Sequence, residues 1–128
     1  MLKLKLNKDD YPWYDFYGDV PHHLEYPKGS MVDVLMDTVL KYPDLEAIEY
    51  FNNKYTYKEL MDNVIDCAKS LKTIGVKEGD VVSICMPNTP EALFMFYAVN
   101  MVGAVSNMIH PLSSEKEIEF FLNKTKSK

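Results

Sequence analysis

Residues 81–109 read VVSICMPNTPEALFMFYAVNMVGAVSNMI, and this stretch decides the fold class. Val81 to Met86 is a continuous apolar run, the pattern of a strand covered on both faces. Pro87 to Glu91 is a turn, with Thr89 as helix N-cap and Pro90 as the first helical residue. The helix that follows, through Val102, is apolar almost all round, so it must be buried on most sides. Gly103 ends it, and Ala104 to Ile109 reads as a second strand. A second helix signal follows in this stretch: Ser114 and Glu117 form a capping box, ahead of Ile118, Phe121 and Leu122. Strand, helix, strand, helix is a βαβ unit, with parallel strands and a right-handed crossover.

Working back toward the N-terminus, Thr56 and Glu59 make a capping box for a helix carrying Leu60, Met61, Val64, Ala68, Leu71 and Ile74 at helical spacing. Gly75 is placed to close it. Ahead of it, Ala47–Phe51 and Lys54–Tyr57 flank Asn52-Asn53, a hairpin signal, because Asn tolerates the positive φ of a type I′ turn. Ser30 with Asp33 starts a helix whose face is Met31, Val34, Leu35, Thr38 and Val39, stopped by Pro43. Residues 1–29 read as an irregular, aromatic-rich segment. Leu2, Leu4 and Leu6 suit a short strand or tail, and Tyr11, Trp13, Tyr14, Phe16 and Tyr17 suit an extended stretch anchored by its rings. The expected organisation is therefore 1–29 irregular and 30–128 the first part of an α/β domain. One hairpin and two parallel strands leave the sheet incomplete, since parallel sheets normally have several strands and two covered faces.

Composition narrows the function. The 128 residues carry 14 basic and 19 acidic side chains, a net charge of −5, which argues against nucleic acid as a main partner. Hydrophobic residues at 47% and charged ones at 26% fit a folded globular chain. No run of about 18 apolar residues marks a membrane span. Met1 to Leu6 lacks the apolar core of a signal peptide, so a cytoplasmic setting is expected. Cys67 and Cys85 have no metal or redox spacing and read as buried or half-buried thiols.

Catalytic patterns are absent. The five glycines never cluster into a phosphate loop. The Pro87–Glu91 turn sits where helix N-termini bind anions, but Pro90 removes a donor there and Glu91 adds negative charge. His22-His23 with Glu25 is a loose metal pattern, but adjacent side chains in an extended segment point apart, which argues against a shared metal. Glu115, Glu117 and Glu119 suit a solvated helix start. His110 follows the second parallel strand, at the carboxyl end where open α/β sheets place ligands, and is the candidate substrate-binding residue; a plain loop histidine is the simpler reading.

Several pieces, in order, resemble the N-terminal region of AMP-forming acyl-CoA synthetases, in the adenylate-forming ligase superfamily, and especially its fatty-acid–CoA ligase branch. They are Tyr55-Thr-Tyr-Lys-Glu-Leu60; Ala68, Leu71 and Gly75-Val-Lys-Glu-Gly-Asp-Val81; Ile84-Cys-Met-Pro-Asn-Thr-Pro-Glu91; Tyr97-Ala98; Gly103-Ala-Val105; and Pro111-Leu112. His23-Leu-Glu-Tyr-Pro27 and Tyr42-Pro-Asp44 add to the likeness. His110 stands where the family usually has Asn. The resemblance implies the first part of a large AMP-binding domain and a much longer parent. That parent would use ATP, Mg²⁺ and coenzyme A to activate a carboxylic acid. Its phosphate loop, adenine and ribose contacts and catalytic Lys fall after Lys128, so no catalytic or cofactor-binding residue carries over to residues 1–128. The expected partner is the remainder of the parent chain. A contrasting expectation is a non-catalytic α/β interaction module that forms homo-oligomers through an exposed sheet edge. Membrane attachment through Tyr11–Tyr17 is a third, opposed by the net charge.

Overall fold

A computed structural model describes residues 11–26 and 28–128. The Leu2/Leu4/Leu6 strand expectation lies outside the described residues. The element order is a 3₁₀ turn (Pro12–Phe16), α1 (Met31–Lys41), β1 (Glu46–Tyr50), β2 (Asn53–Thr56), α2 (Tyr57–Thr73), β3 (Val81–Ile84), α3 (Pro90–Met101), β4 (Val105–Met108) and α4 (Glu115–Thr125). β1 and β2 pair antiparallel, and β3 and β4 pair parallel, in two separate two-stranded sheets. The α/β class, the hairpin, the βαβ unit and the incomplete sheet are all present.

Local chemistry explains the element ends. Three helices open on the capping boxes read from the sequence, Ser30/Asp33, Thr56/Glu59 and Ser114/Glu117. Each reciprocal pair satisfies helix-start N–H groups that have no partner within the helix. α2 and α3 close on matching Schellman motifs. Gly75, at φ +93°, lets its N–H reach the Lys72 carbonyl and the Val76 N–H reach Leu71. Gly103, at φ +78°, does the same through Asn100 and through Ala104 onto Val99. Both glycines lie between a helix and the strand or turn that follows it.

The core lies where α3 crosses between the βαβ strands and α2. Val64, Ala98 and Val99 are fully buried, joined by Leu60, Leu71, Val82, Ile84 and Phe94. In α3 only Glu91 and Leu93 are exposed, as its all-round apolar character requires. Tyr55 meets Phe94 edge-on, with ring centroids 5.5 Å apart, and so ties the hairpin to α3.

Several expectations need correction. The turn of the hairpin is Phe51-Asn52, at φ +46° and +65°, one residue earlier than Asn52-Asn53. A bulge at Ala47 sets Ile48 opposite Tyr55, and both pack on the core. A one-residue slip would turn those side chains away, so core register overrides turn preference. On α1, Val32 and Leu35 are buried, whereas Met31 and Val34 are half exposed, at 53% and 50%. The cause is a hydrogen bond from the Val32 N–H to Asn100 Oδ1 at 3.0 Å, which fixes how α1 is rotated onto α3. Ile74 is exposed beyond the end of α2. The aromatic segment forms a 3₁₀ turn rather than an extended stretch, and none of its helical residues is buried. α4 buries no residue, and Phe120, Phe121 and Leu122 remain exposed.

Candidate functional site

The carboxyl ends of β3 and β4 open on one side of the molecule, at the Cys85–Thr89 turn and the His110–Ser113 loop. Between that turn, α3 and the end of β4 lies an open groove of about 260 Å³, lined by Asn88, Thr89, Ala92, Leu93, Phe96 and Met108. Its walls are mostly apolar. The alternation of β4 sends Met108 outward, and Leu93 and Phe96 come from the same face of α3 at i and i+3.

His110 sits just past this groove and is exposed. The Ile109 N–H donates to the Ile84 carbonyl at 2.9 Å, so the parallel ladder runs up to the residue before His110. Its Nδ1 accepts the Leu112 N–H at 3.2 Å, and its carbonyl accepts the Ser113 N–H at 3.0 Å. That hydrogen bond engages Nδ1 as an acceptor and leaves Nε2 as the other ring nitrogen. Leu112 is 86% exposed beside it. The geometry places an exposed imidazole beside exposed apolar surface.

The α3 N-terminus is a poor anion site. Pro90 has no N–H, and Thr89 makes no side-chain cap. The Thr89 hydroxyl holds the Glu91 carboxyl below the usual carboxylate range, so a negative charge already sits there. Among the described residues no group of three or more His, Cys, Asp or Glu is placed to hold a metal. His22 instead stacks on Tyr14, centroids 4.2 Å apart and planes 11° apart. Cys85 is exposed, because β3 ends at Ile84 and leaves it in the turn. Cys67 is half-buried, and burial pushes its thiol pKa up.

Two features were missed from sequence. Ser83 and Asn107 are register partners in the parallel pair, and Asn107 Nδ2 donates to Ser83 Oγ at 2.8 Å. Polar residues inside otherwise apolar strands were the available signal. The second is a groove of about 420 Å³ between α1, α2 and α3, lined by Met36, Val39, Leu40, Met61, Ile65 and Met101. Its three methionines are scattered over three helices, so no local pattern announced it.

Comparison with known proteins places this geometry. A family described as "AMP-binding enzyme" matches residues 35–128. A long-chain-fatty-acid–CoA ligase of Bacillus subtilis is 30% identical over 112 residues, covering 87% of this chain and 20% of that protein. The acetyl-coenzyme A synthetase of Allorhizobium ampelinum is 43% identical over 60 residues, 47% of this chain and 9% of its own length. The crystal structure of the N-terminal domain of FACL13 from Mycobacterium tuberculosis superposes with a TM-score of 0.75 at 27% identity, over 78% of this chain and 26% of that one. The Klebsiella oxytoca NpsA N-terminal subdomain in complex with 3-hydroxyanthranilyl-AMSN superposes with a TM-score of 0.75 at 26% identity, over 77% of this chain and 25% of that one. This chain thus spans about a fifth of the Bacillus ligase.

Proposed function

The chain belongs to the AMP-binding enzyme family, and on that premise we propose that it supplies the opening scaffold of an AMP-forming acyl-CoA synthetase. The parent reaction joins a carboxylate to ATP, giving an acyl-adenylate and pyrophosphate, and then transfers the acyl group to the thiol of coenzyme A with release of AMP. Mg²⁺ would offset the phosphate charge in the first step. The observation that carries this reading is the family match over residues 35–128, together with the shared fold of the adenylate-forming N-terminal domains.

The chain's own residues hold β3, α3 and β4 in place and present His110 and the Phe96–Met108 groove at the carboxyl end of the strands. His110 is proposed as a substrate-facing residue through its Nε2. The described residues do not themselves make a triphosphate site: Gly75 and Gly103 close helices, and the α3 N-terminus carries Pro90 and an ionised Glu91. No step of the chemistry is therefore assigned to them, and the partner is the remainder of the parent chain. We place the domain start at Ser30, where α1 is capped, after the aromatic segment of residues 1–29. The proposed setting is cytoplasmic; no helix among the described residues is long and apolar enough to cross a membrane. Alone, the chain would associate with its own copies through the uncovered edge of β4, whose Val105 and Met108 are half exposed.

The test is fatty-acid-dependent pyrophosphate release. A chimera in which residues 35–128 replace the matching segment of the Bacillus ligase should release pyrophosphate, and the purified 128-residue chain should not. A folded but inactive chimera overturns the scaffold reading, and release by the 128-residue chain overturns its assigned lack of chemistry.

A further inference from the structure

His110 to Ser113 is a four-residue turn between β4 and α4. The Ser113 N–H donates to the His110 carbonyl at 3.0 Å and closes it. Pro111, at the second position, suits the turn because its ring fixes φ at about −65° and it has no N–H to place. Leu112, at the third position, is not among the residues with positive φ, so the turn is of type I rather than type II.

The Leu112 N–H is the backbone donor that such a turn leaves to account for. His110 Nδ1 accepts it at 3.2 Å. Asn and Asp at the first position of a turn do the same with a side-chain oxygen, bonding the backbone two residues on. His110 puts a nitrogen in that role, and the nitrogen differs in one respect. It accepts only while it carries no proton, because in the imidazolium both ring nitrogens are donors. Protonation at Nδ1 therefore sets a donor against the Leu112 donor.

The rest of the turn does not depend on the ring. The His110 carbonyl holds Ser113 and also accepts Cys85 Sγ at 3.9 Å, while the Ile109 N–H is held by the Ile84 carbonyl at 2.9 Å. Leu112 is 86% exposed, so little packing holds it once its N–H is released. Cys85 belongs to the turn after β3. The other titratable groups at this end of the fold are Glu91 at the start of α3, and Glu115, Lys116 and Glu117 at the start of α4. Glu91 is bonded by the Thr89 hydroxyl and Glu117 by Ser114. Among the described residues no ion pair joins any of them to His110.

We propose that the His110–Ser113 turn is a pH-sensitive latch at the carboxyl end of β4. Neutral His110 pins Leu112; protonated His110 releases it and adds a positive charge just past the Phe96–Met108 groove. Histidines change over near pH 6.5, so the latch operates between about pH 7.5 and about pH 5.5. It is a property of the turn, and it holds or fails whether or not His110 meets substrate.

The experiment is an NMR titration of the 128-residue chain from about pH 8 to about pH 5, with His110→Asn and His110→Ala beside it and no substrate present. The Leu112 amide and the His110 ring should titrate with one midpoint. Solvent exchange of the Leu112 amide, corrected for its intrinsic pH dependence, should be about fivefold faster below that midpoint, the loss of one hydrogen bond. His110→Asn keeps an acceptor that takes up no proton, so its Leu112 amide should stay slow across the range. His110→Ala has no acceptor there and should be fast throughout. A Leu112 amide indifferent to the titration of the ring overturns the proposal. So does the same pH dependence in His110→Asn, which would assign it to another group.

Discussion

Replacing Phe51 with Asn should stabilise the chain, although it removes a large aromatic side chain. Phe51 sits at φ +46° in the hairpin turn, followed by Asn52 at +65°. A residue with a Cβ in the left-handed region costs roughly 1–2 kcal/mol, and Asn tolerates that region because its short polar side chain bonds locally. The opposing loss is small. Phe51 is 83% exposed, and its ring contacts Tyr50 edge-on with centroids 4.6 Å apart. Such a pair is worth about 0.5 kcal/mol at an exposed site. Relief of about 1 kcal/mol less that loss leaves a net gain of about 0.5 kcal/mol. With a urea m-value of about 1.5 kcal/mol/M, the unfolding midpoint should rise by about 0.3 M at unchanged m. Phe51→Ala is the control that separates strain from contact. It keeps the Cβ and loses the ring, so its midpoint should fall below that of the native chain. If Phe51→Asn unfolds at or below the native midpoint, or Phe51→Ala matches Phe51→Asn, backbone strain does not govern this turn.

Asn100→Ala should cost about 1 kcal/mol, measured by urea unfolding, because it leaves the Val32 N–H at the start of α1 without its side-chain acceptor; Asn100→Asp, which keeps an acceptor oxygen, should recover most of it, and equal losses in the two variants would refute the tether. The carboxyls of Asp33, Glu59 and Glu117 are held below the usual carboxylate range, first by the backbone N–H and then by the hydroxyl of Ser30, Thr56 and Ser114. A depressed folded pKa gives stability that is present above the unfolded value and lost as pH falls through the folded one, so the midpoint should hold from about pH 7 to about pH 5 and fall below about pH 4. The triple variant Asp33→Asn/Glu59→Gln/Glu117→Gln should flatten that fall; a decline already complete by about pH 5.5, or an equal fall in the triple variant, would refute the assignment to these carboxyls.

The sequence made legible whatever a few adjacent residues decide. Each capping box needs only a hydroxyl residue and an acid three positions on, and all three formed where they were read. The same locality placed Gly75 and Gly103 at helix ends and Pro90 at a helix start. The βαβ order followed from switching periodicities, and the resemblance to acyl-CoA synthetases rested on the same punctuation between residues 55 and 112.

What stayed hidden is decided between residues far apart in the chain, and it overrides local preference where the two conflict. The apolar residues Met31, Val32, Val34 and Leu35 allow more than one face for α1; the choice is made by Asn100, 68 residues away. Asn52-Asn53 is the better turn taken alone, yet the pairing of Ile48 with Tyr55 on the core face moves the turn onto Phe51. Ser83 looked like an interruption in an apolar strand until Ser127, 44 residues on, met it. His110 belongs to the same class. Its loop geometry is fixed locally by Leu112 and Ser113, but a ligand at its Nε2 would be decided by the residues across the groove. Scaffold positions are thus readable from neighbours in sequence, because one turn of backbone sets them. A binding position is defined by what faces it, and the contacts His110 makes here, to Leu112 and Ser113, fix only its own loop.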